Sequence, residues 1–473
     1  MKSAPKMKSN LLSIAFLTIT ISLLIKPTLA KSISFDEAWK KVLQESDALA
    51  AEKQNIERAQ YLQDAASDLL LPSVSLNANY TRLDHAVRVK PSEVIASMPI
   101  DAIHEAFGVT TDNLDSYFTS TLAERDIFTS SIRALWPIYT GGRVSAAQDI
   151  AKAQYDEAGY LLTLKQLEKF EDLVKYYFAV VLSEQVLKTR ENVEQGLKKH
   201  YENAIKLEEQ GQINKLERLQ AQVSLNKSQV ERKKSFRDSQ IAQITLARLL
   251  NYQEKITPTT TLFINASLPT MALYLDKSLV DFPALKMLDA KQKQLGGLIE
   301  IEEGKYYPEV YLYGNYNLYE EDNLASQIAP DWEIGVGVKI PILDTSGRSG
   351  KMKAAHSSVM QIKYLRAQAV LDLSVLVEKS YQEANQSLEE YQGLASSLEL
   401  ANENLMLRNK AFKQGISTSV DVVDAQLFVA SIKTQRLVAA YQYMLSLSKL
   451  LALSVDTRSF KHYQSYQGIE VKQ

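Results

Sequence analysis

The sequence predicts a mixed α and β membrane protein of internally duplicated construction. Three copies would supply a twelve-stranded β-barrel, four strands per chain, continuous with a long α-helical barrel. Three observations predict it: the two halves share one set of spacings, each half holds a proline-free stretch of more than 60 residues, and four short segments alternate apolar and polar side chains.

The opening residues set the compartment. Lys2, Lys6 and Lys8 precede an apolar run at 11–25, followed by Lys26, Pro27 and the small-residue ending Thr28-Leu29-Ala30. This pattern reads as a secretory signal peptide cleaved after Ala30, so the mature chain is expected to begin at Lys31. The run is too short for a spanning helix, which needs roughly 20 apolar residues. No later segment reaches that length, which excludes a helical inner-membrane protein and leaves a β-barrel as the route across a membrane. The 473 residues are 45% hydrophobic and 23% charged, an ordinary folded balance, and length alone suggests two or three domains. A formal net charge of -2 offers no basic excess for phosphate backbones, so nucleic acid is not an expected partner. The absence of cysteine removes disulfides, thiol chemistry, zinc-thiolate sites and a lipid anchor on cysteine.

The duplication shows in paired positions. Leu71-Pro72 and Asn79-Tyr80 recur as Tyr307-Pro308 and Asn315-Tyr316, and Ala48-Leu49 recurs as Ala284-Leu285, all 236 positions on. Trp136-Pro137-Ile138 with Gly142-Arg143 echoes Ile340-Pro341-Ile342 with Gly347-Arg348, and Gln210-Gly211 echoes Gln414-Gly415. Pro137 to Gly211 and Pro341 to Gly415 both span 74 residues, and equal long spacings imply equal long elements. The halves differ between Pro72 and Pro137, where 32 extra residues fall within 82–126.

Residues 143–209 and 348–414 contain no proline, and each is expected to form one helix about 100 Å long at 1.5 Å per residue. After Gly415 the positions Val423, Leu427, Ala430, Thr434, Leu437, Tyr441 and Met444 step by four and three, which predicts a coiled-coil seam. Leu167, Phe170, Val174, Tyr177 and Val181 form its counterpart in the first half. These stripes are read as packing core.

Alternation marks the strands. Segments 73–81, 128–138, 309–318 and 332–342 each place apolar residues on one face, for example Val74, Leu76, Ala78 and Tyr80 in the first. At about ten residues each, with aromatics near their ends, they suit a transmembrane barrel. Four strands cannot close one, and an open edge is not tolerated in lipid. Eight strands from two copies would be filled by side chains, whereas twelve from three leave a lumen.

With Leu71-Pro72, the strand-to-helix corners at 136–143 and 341–344, and the turn at 415–425 carrying Val420-Asp421-Val422-Val423-Asp424-Ala425, residues 33–453 resemble the TolC-like outer-membrane efflux proteins. No single motif is specific; their order and duplicated spacing together are. The resemblance implies a homotrimer whose barrel sits in outer-membrane lipid and whose helical tunnel reaches deep into the periplasm. It implies export of solutes in a tripartite efflux or type I secretion system, with a periplasmic adaptor and an inner-membrane pump of RND, ABC or MFS type. Residues 251–282 are similar to the family's equatorial segment. The expected division is therefore 1–30 signal peptide, 31–250 first repeat, 251–282 equatorial segment, 283–454 second repeat and 455–473 tail.

The resemblance also implies sites. Asp421 and Asp424 match the aspartates that narrow the family's periplasmic entrance, and a three-residue spacing puts both on one helix face. A structural alternative is helix capping, because Thr418 with Asp421 has capping-box spacing. Ser417 stands where some relatives carry an arginine. The first half has Glu217 and Gln220 at the equivalent places, so its tip is not a second copy of the gate. The tips themselves, Gln210, Gly211, Gln212 and Ile213 with Gln414, Gly415, Ile416 and Ser417, are expected to meet the adaptor.

An enzyme is not expected. His85, His104, His200, His356 and His462 form no paired spacing for a metal or a triad. Gly347-Arg348-Ser349-Gly350-Lys351 lacks the first glycine and the final hydroxyl of a phosphate loop, and reads as a helix start. No cofactor or metal is implied. The competing readings are a periplasmic coiled-coil scaffold, which would need no alternating strands, and a surface receptor or adhesin built on the insertion, where Val94, Met98 and Phe107 suggest a small amphipathic helix.

Overall fold

A computed structural model describes residues 31–92, 111–320, 326–327, 330–343, 345–465 and 468–471. The expected signal peptide and the amphipathic helix around Val94, Met98 and Phe107 lie outside the described residues.

Two helices run from the strands to the far tips: α4, Arg143–Glu209, and α8, Arg348–Lys413, of 67 and 66 residues. Shorter helices pack along them in tandem. Towards the strands, α2 (Asp47–Ser67) lies on α4, and α7 (Pro283–Gly304) lies between α4 and α8. Towards the other end, α5 (Lys215–Leu249) packs on α4 and α9 (Ser419–Leu453) on α8, with α4 against α9 joining the two hairpins. The lower helices thus lie in the order α5, α4, α9, α8.

The ends of both hairpins are made alike. Gly211 and Gly415 adopt φ of 68° and 71°, and each closes a Schellman motif: Gly211 N–H to Glu208 O with Gln212 N–H to Leu207 O, and Gly415 N–H to Phe412 O with Ile416 N–H to Ala411 O. Three residues on, Asn214 and Thr418 cap the returning helices. Those helices end on Asn251 and Val455, both at φ 54°. A β-branched valine is strained there, since its Cβ crowds the backbone at positive φ.

The α9 seam differs from the expected stripe. Val423, Ala430, Leu437 and Met444 are buried, but Leu427 is 38% exposed. The helix is covered on two sides, by α8 and α4, so a second set including Val422, Ala425, Val429 and Ile432 is buried as well. A single four-three stripe describes a helix with one partner. The first-half stripe from Leu167 to Val181 is buried throughout.

The strands β2 (Ser73–Arg82), β5 (Asp126–Tyr139), β8 (Glu309–Glu320) and β9 (Trp332–Lys339) form one antiparallel sheet in the order β2-β5-β8-β9. The last strand stops before its expected end at 342, because Pro341 has no N–H for the ladder. Pro137 is tolerated inside β5 where the register shifts between Pro137 and Tyr139. One face is apolar and bare, with Val74, Leu76, Ile334, Val336 and Val338 each at least 61% exposed. Within the insertion, β3 (Val87–Val89) pairs with β4 (Ser120–Ala123), and α3 covers Thr111–Phe118.

The largest core lies at mid-height, where α2 gives way to α5 and α7 to α9. Here α1 (Phe35–Glu45), α6 (Met271–Asp281) and α10 (Ser459–Ser465) surround two short β pairs: β1 (Lys31–Ile33) with β6 (Ile256–Pro258), and β7 (Phe263–Asn265) with β10 (Gly468–Glu470). Phe35, Phe170, Tyr177, Phe178, Phe263 and Phe460 pack together, and the Tyr177 hydroxyl donates to Ile33 O and accepts from Thr259 and Thr260 N–H. The segment expected as equatorial and the described part of the expected tail thus meet in one folded girdle.

Candidate functional site

The tips far from the sheet bring together residues from all four lower helices. At the second tip, Thr418 caps α9 with a complete capping box. One oxygen of Asp421, Oδ2, accepts from the Thr418 N–H at 2.9 Å, from the Thr418 hydroxyl at 2.8 Å and from the Ser417 hydroxyl at 3.1 Å. The other, Oδ1, lies 3.5 Å from Arg408 of α8. These bonds, the backbone N–H of Thr418 foremost, hold the Asp421 carboxyl below the usual carboxylate range. Asp421 therefore does the capping that its spacing from Thr418 allows, and Ser417 serves it as a donor.

Asp424, one turn on, is exposed. It lines a groove of about 540 Å³ between the hairpins, with Val193 and Leu197 of α4, Val223 and Lys227 of α5, and Leu427 of α9. The two aspartates are on one helix but in different circumstances: one carboxylate is engaged by its own helix end, the other faces open space.

The first tip is built differently. Asn214 accepts the Glu217 N–H at 3.1 Å. The Glu217 carboxylate crosses to the other hairpin and accepts the Ser419 N–H at 2.6 Å, supplying a partner to the first turn of α9. Gln220 keeps a buried side-chain oxygen without a hydrogen-bond partner among the described residues. The expected inequivalence of the two tips thus has a physical form: Glu217 ties the hairpins together while Asp421 secures its own.

Two groups here escape a reading of motifs. His200 is 3% exposed, with Nε2 2.6 Å from Ser419 Oγ and its ring 4.5 Å from that of Phe412. Its position is signalled by the spacing Val193, Leu197, His200, Ala204, a buried helical stripe. Arg408, partner of Asp421, comes from the preceding helix and has no signal of its own.

At the opposite end, where strands meet helices, Gly141 at φ 66° packs so close to Gly304 that a Cβ would stand 2.3 Å from the Gly304 oxygen. Trp136 Nε1 donates to Leu70 O at 2.8 Å, and Arg143 pairs with Glu309 at 3.1 Å. Gly347, at φ 72°, opens α8, so the 347–351 segment begins a helix. Among the described residues no group of three or more His, Asp or Glu is arranged to hold a metal, and no helix is long and apolar enough to cross a membrane.

The model of the family described as outer membrane efflux protein matches residues 38–252 and 274–454. Solved structures of the same fold include CusC, with a TM-score of 0.71 at 14% identity over 89% of this chain and 91% of that one. The Campylobacter jejuni CmeC outer membrane channel gives 0.69 at 13% identity, covering 91% and 89%. The open state of the Neisseria gonorrhoeae MtrE outer membrane channel gives 0.68 at 17%, covering 89% of each. Nodulation protein T of Rhizobium leguminosarum bv. trifolii is 26% identical over 163 residues, and the chain spans about a third, 34%, of the length of that curated relative.

Proposed function

We propose, starting from the fact that the chain belongs to the outer membrane efflux protein family, that three copies close into one continuous conduit through which solutes leave the cell. The observation that carries this reading is the sheet. It has four strands, an apolar bare face and two unpaired edges, β2 and β9. Because the number of strands is even, β9 of one copy can meet β2 of the next with the antiparallel alternation unbroken. Closure is then required by the cost of bare edges in lipid, and three copies reach the twelve strands that leave a water-filled lumen.

The helices support the same count. In the order α5, α4, α9, α8 the outer members are α5 and α8, and both leave apolar residues uncovered: Leu216, Val223, Val230 and Ile244 on α5, Leu400 and Leu407 on α8. On α5 these recur at multiples of seven, the repeat of a helix seeking a partner. Joining α5 of one copy to α8 of the next buries them and yields twelve helices around one axis.

In this assembly 31–250 and 283–454 act as two repeats, and 251–282 with 455–473 belts them at mid-height. The tips, Gln210 to Ile213 and Gln414 to Ser417, lie farthest from the membrane and meet a periplasmic adaptor that links the conduit to an inner-membrane pump. Asp424 contributes three open carboxylates to the periplasmic entrance, with Asp421 behind it as cap. No step of this function needs a reaction at a side chain.

The reading is tested by purifying the protein in mild detergent, measuring its mass, and recording currents after insertion into planar bilayers. A trimer with discrete conductance steps is expected. A monomer, or recovery from the soluble periplasm, would refute barrel and channel together.

A further inference from the structure

What holds the two hairpins of one chain together at their tips is a small set of contacts. Ala204, Ala221, Phe412 and Val422 form a compact apolar cluster. Beside it, two residues of the first hairpin converge on one residue of the second: His200 Nε2 lies 2.6 Å from Ser419 Oγ, and Glu217 takes the Ser419 N–H at 2.6 Å. Ser419 is fully buried and His200 nearly so. Four helices therefore meet at one imidazole. Helix α4 supplies it, α9 the hydroxyl, α8 the Phe412 ring, and α5 the carboxylate that fixes the backbone under that hydroxyl.

We propose that His200, Ser419 and Glu217 form a proton-released latch, in which the neutral imidazole joins the hairpins at the tip and its protonation in an acid periplasm lets the second hairpin move away from the first. The proposal deepens the channel reading and rests on it for its consequence, though not for its chemistry.

The chemistry follows from the surroundings of the ring. A buried imidazolium loses its hydration, and this loss is recovered only where a carboxylate bonds to the ring. Among the described residues no carboxylate bonds to the His200 ring, whose hydrogen-bond partner is the Ser419 hydroxyl. Glu217 of α5 is held on the Ser419 N–H. Arg408 of α8 stands beside Asp421 of α9, and Asp421 is occupied by Thr418 and Ser417. On α4 itself Lys199 and Glu202 are exposed. Burial alone lowers the His200 pKa to about 4 from 6.5, so the ring stays neutral at neutral pH and charging it opposes the packed tip. An exposed histidine would charge earlier with no structural consequence. One held between two hairpins converts proton binding into separation, because the charged ring regains water only when the cluster opens.

The natural absence of cysteine makes the test clean. Nitroxide labels on Gln212→Cys and Ile416→Cys, one per tip, report the distance between hairpins in the detergent-purified full-length protein. Between pH 7 and pH 4 the distance is expected to lengthen and broaden reversibly. His200→Phe, which keeps an aromatic ring and cannot be charged, is expected to abolish that response. Ser419→Ala, which removes the hydroxyl partner, is expected to loosen the tip already at pH 7. Size-exclusion profiles matching the parent identify folded variants. The same proteins in planar bilayers should show current rising with acid, with an apparent proton order between one and three because three chains carry one latch each. In His200→Phe that rise should vanish. An unchanged label distance in the parent, or equal widening in His200→Phe, overturns the latch. Widening without any conductance would uphold the latch and sink the channel reading instead.

Discussion

Replacing Asp424 and Asp421 separately tests how the proposed entrance divides its work between them. Asp421→Ala removes the acceptor of three hydrogen bonds at the α9 start and is expected to cost about 1 to 2 kcal/mol locally, the usual loss of a helix cap and its partners. Asp424→Ala leaves α9 intact, because Asp424 is exposed and outside the capping box. Its effect is electrostatic. For three carboxylates on a ring of radius about 10 Å in water, each contributes about 0.4 kcal/mol at the axis, or about 1.2 kcal/mol together. That corresponds to roughly an eightfold enrichment of a monovalent cation at low salt. Screening at 0.1 M reduces it to about twofold, since the Debye length is then about 10 Å. Reversal potentials in planar bilayers under a potassium chloride gradient measure this directly. Asp424→Ala should lower cation preference several-fold at 10 mM and at most about twofold at 0.1 M, with trimer content unchanged. A selectivity lost in Asp421→Ala and kept in Asp424→Ala would refute the assignment, and no change in either would move the constriction elsewhere.

Three further outcomes follow from the geometry. Glu171 on α4 is pushed up to about 7 from 4.5, chiefly by burial, with Asp172 and Glu168 adding to the rise and Lys449 opposing it. The folded state therefore binds the proton more tightly than the unfolded chain. The stability this contributes is complete below pH 4.5 and is lost as pH rises through about 7. Glu171→Gln should raise the thermal midpoint above pH 8, by an amount corresponding to about 2 kcal/mol after allowing for water access, and should do almost nothing below about pH 4. Equal effects at both pH values would contradict it. Tyr177→Phe strands the Thr260 N–H, while the Thr259 N–H and the Ile33 carbonyl keep each other at 3.0 Å, and it should destabilise the girdle by about 1 to 3 kcal/mol in thermal or denaturant unfolding. Gly211→Ala and Gly415→Ala each force an alanine into positive φ and should cost about 1 kcal/mol, seen as faster amide exchange confined to the tips.

The long helices and the four strands are legible in the sequence because each rests on a signal repeated many times over. A proline-free run of more than 60 residues between two glycine corners leaves a helix little alternative, and alternation over ten positions has one geometry. The glycine corners are equally plain, since Gly211 and Gly415 take the conformation that glycine favours. The girdle is not legible. Its strands are three residues long, its pairings join the chain's beginning to its middle and its middle to its end, and no local period marks them. Leu427 shows the same difficulty on a smaller scale: periodicity tells that a helix has a buried face, and not how many neighbours share it. At the tip, the Thr418 and Asp421 spacing reveals the cap, whereas His200 to Ser419 is a contact across 219 positions that depends on how two hairpins sit together.

A shared barrel requires closure of β9 of one chain onto β2 of the next, and cysteine pairing measures that closure directly. One cysteine is placed among positions 74, 76 and 78 of β2 and another among 334, 336 and 338 of β9, in a chain that has none of its own. After mild oxidation in outer-membrane preparations, a non-reducing gel should show covalent dimers and trimers, with the ladder ending at three because the ring is closed. Monomers at every pairing, or a ladder that continues past three, would contradict a twelve-stranded barrel shared by three copies.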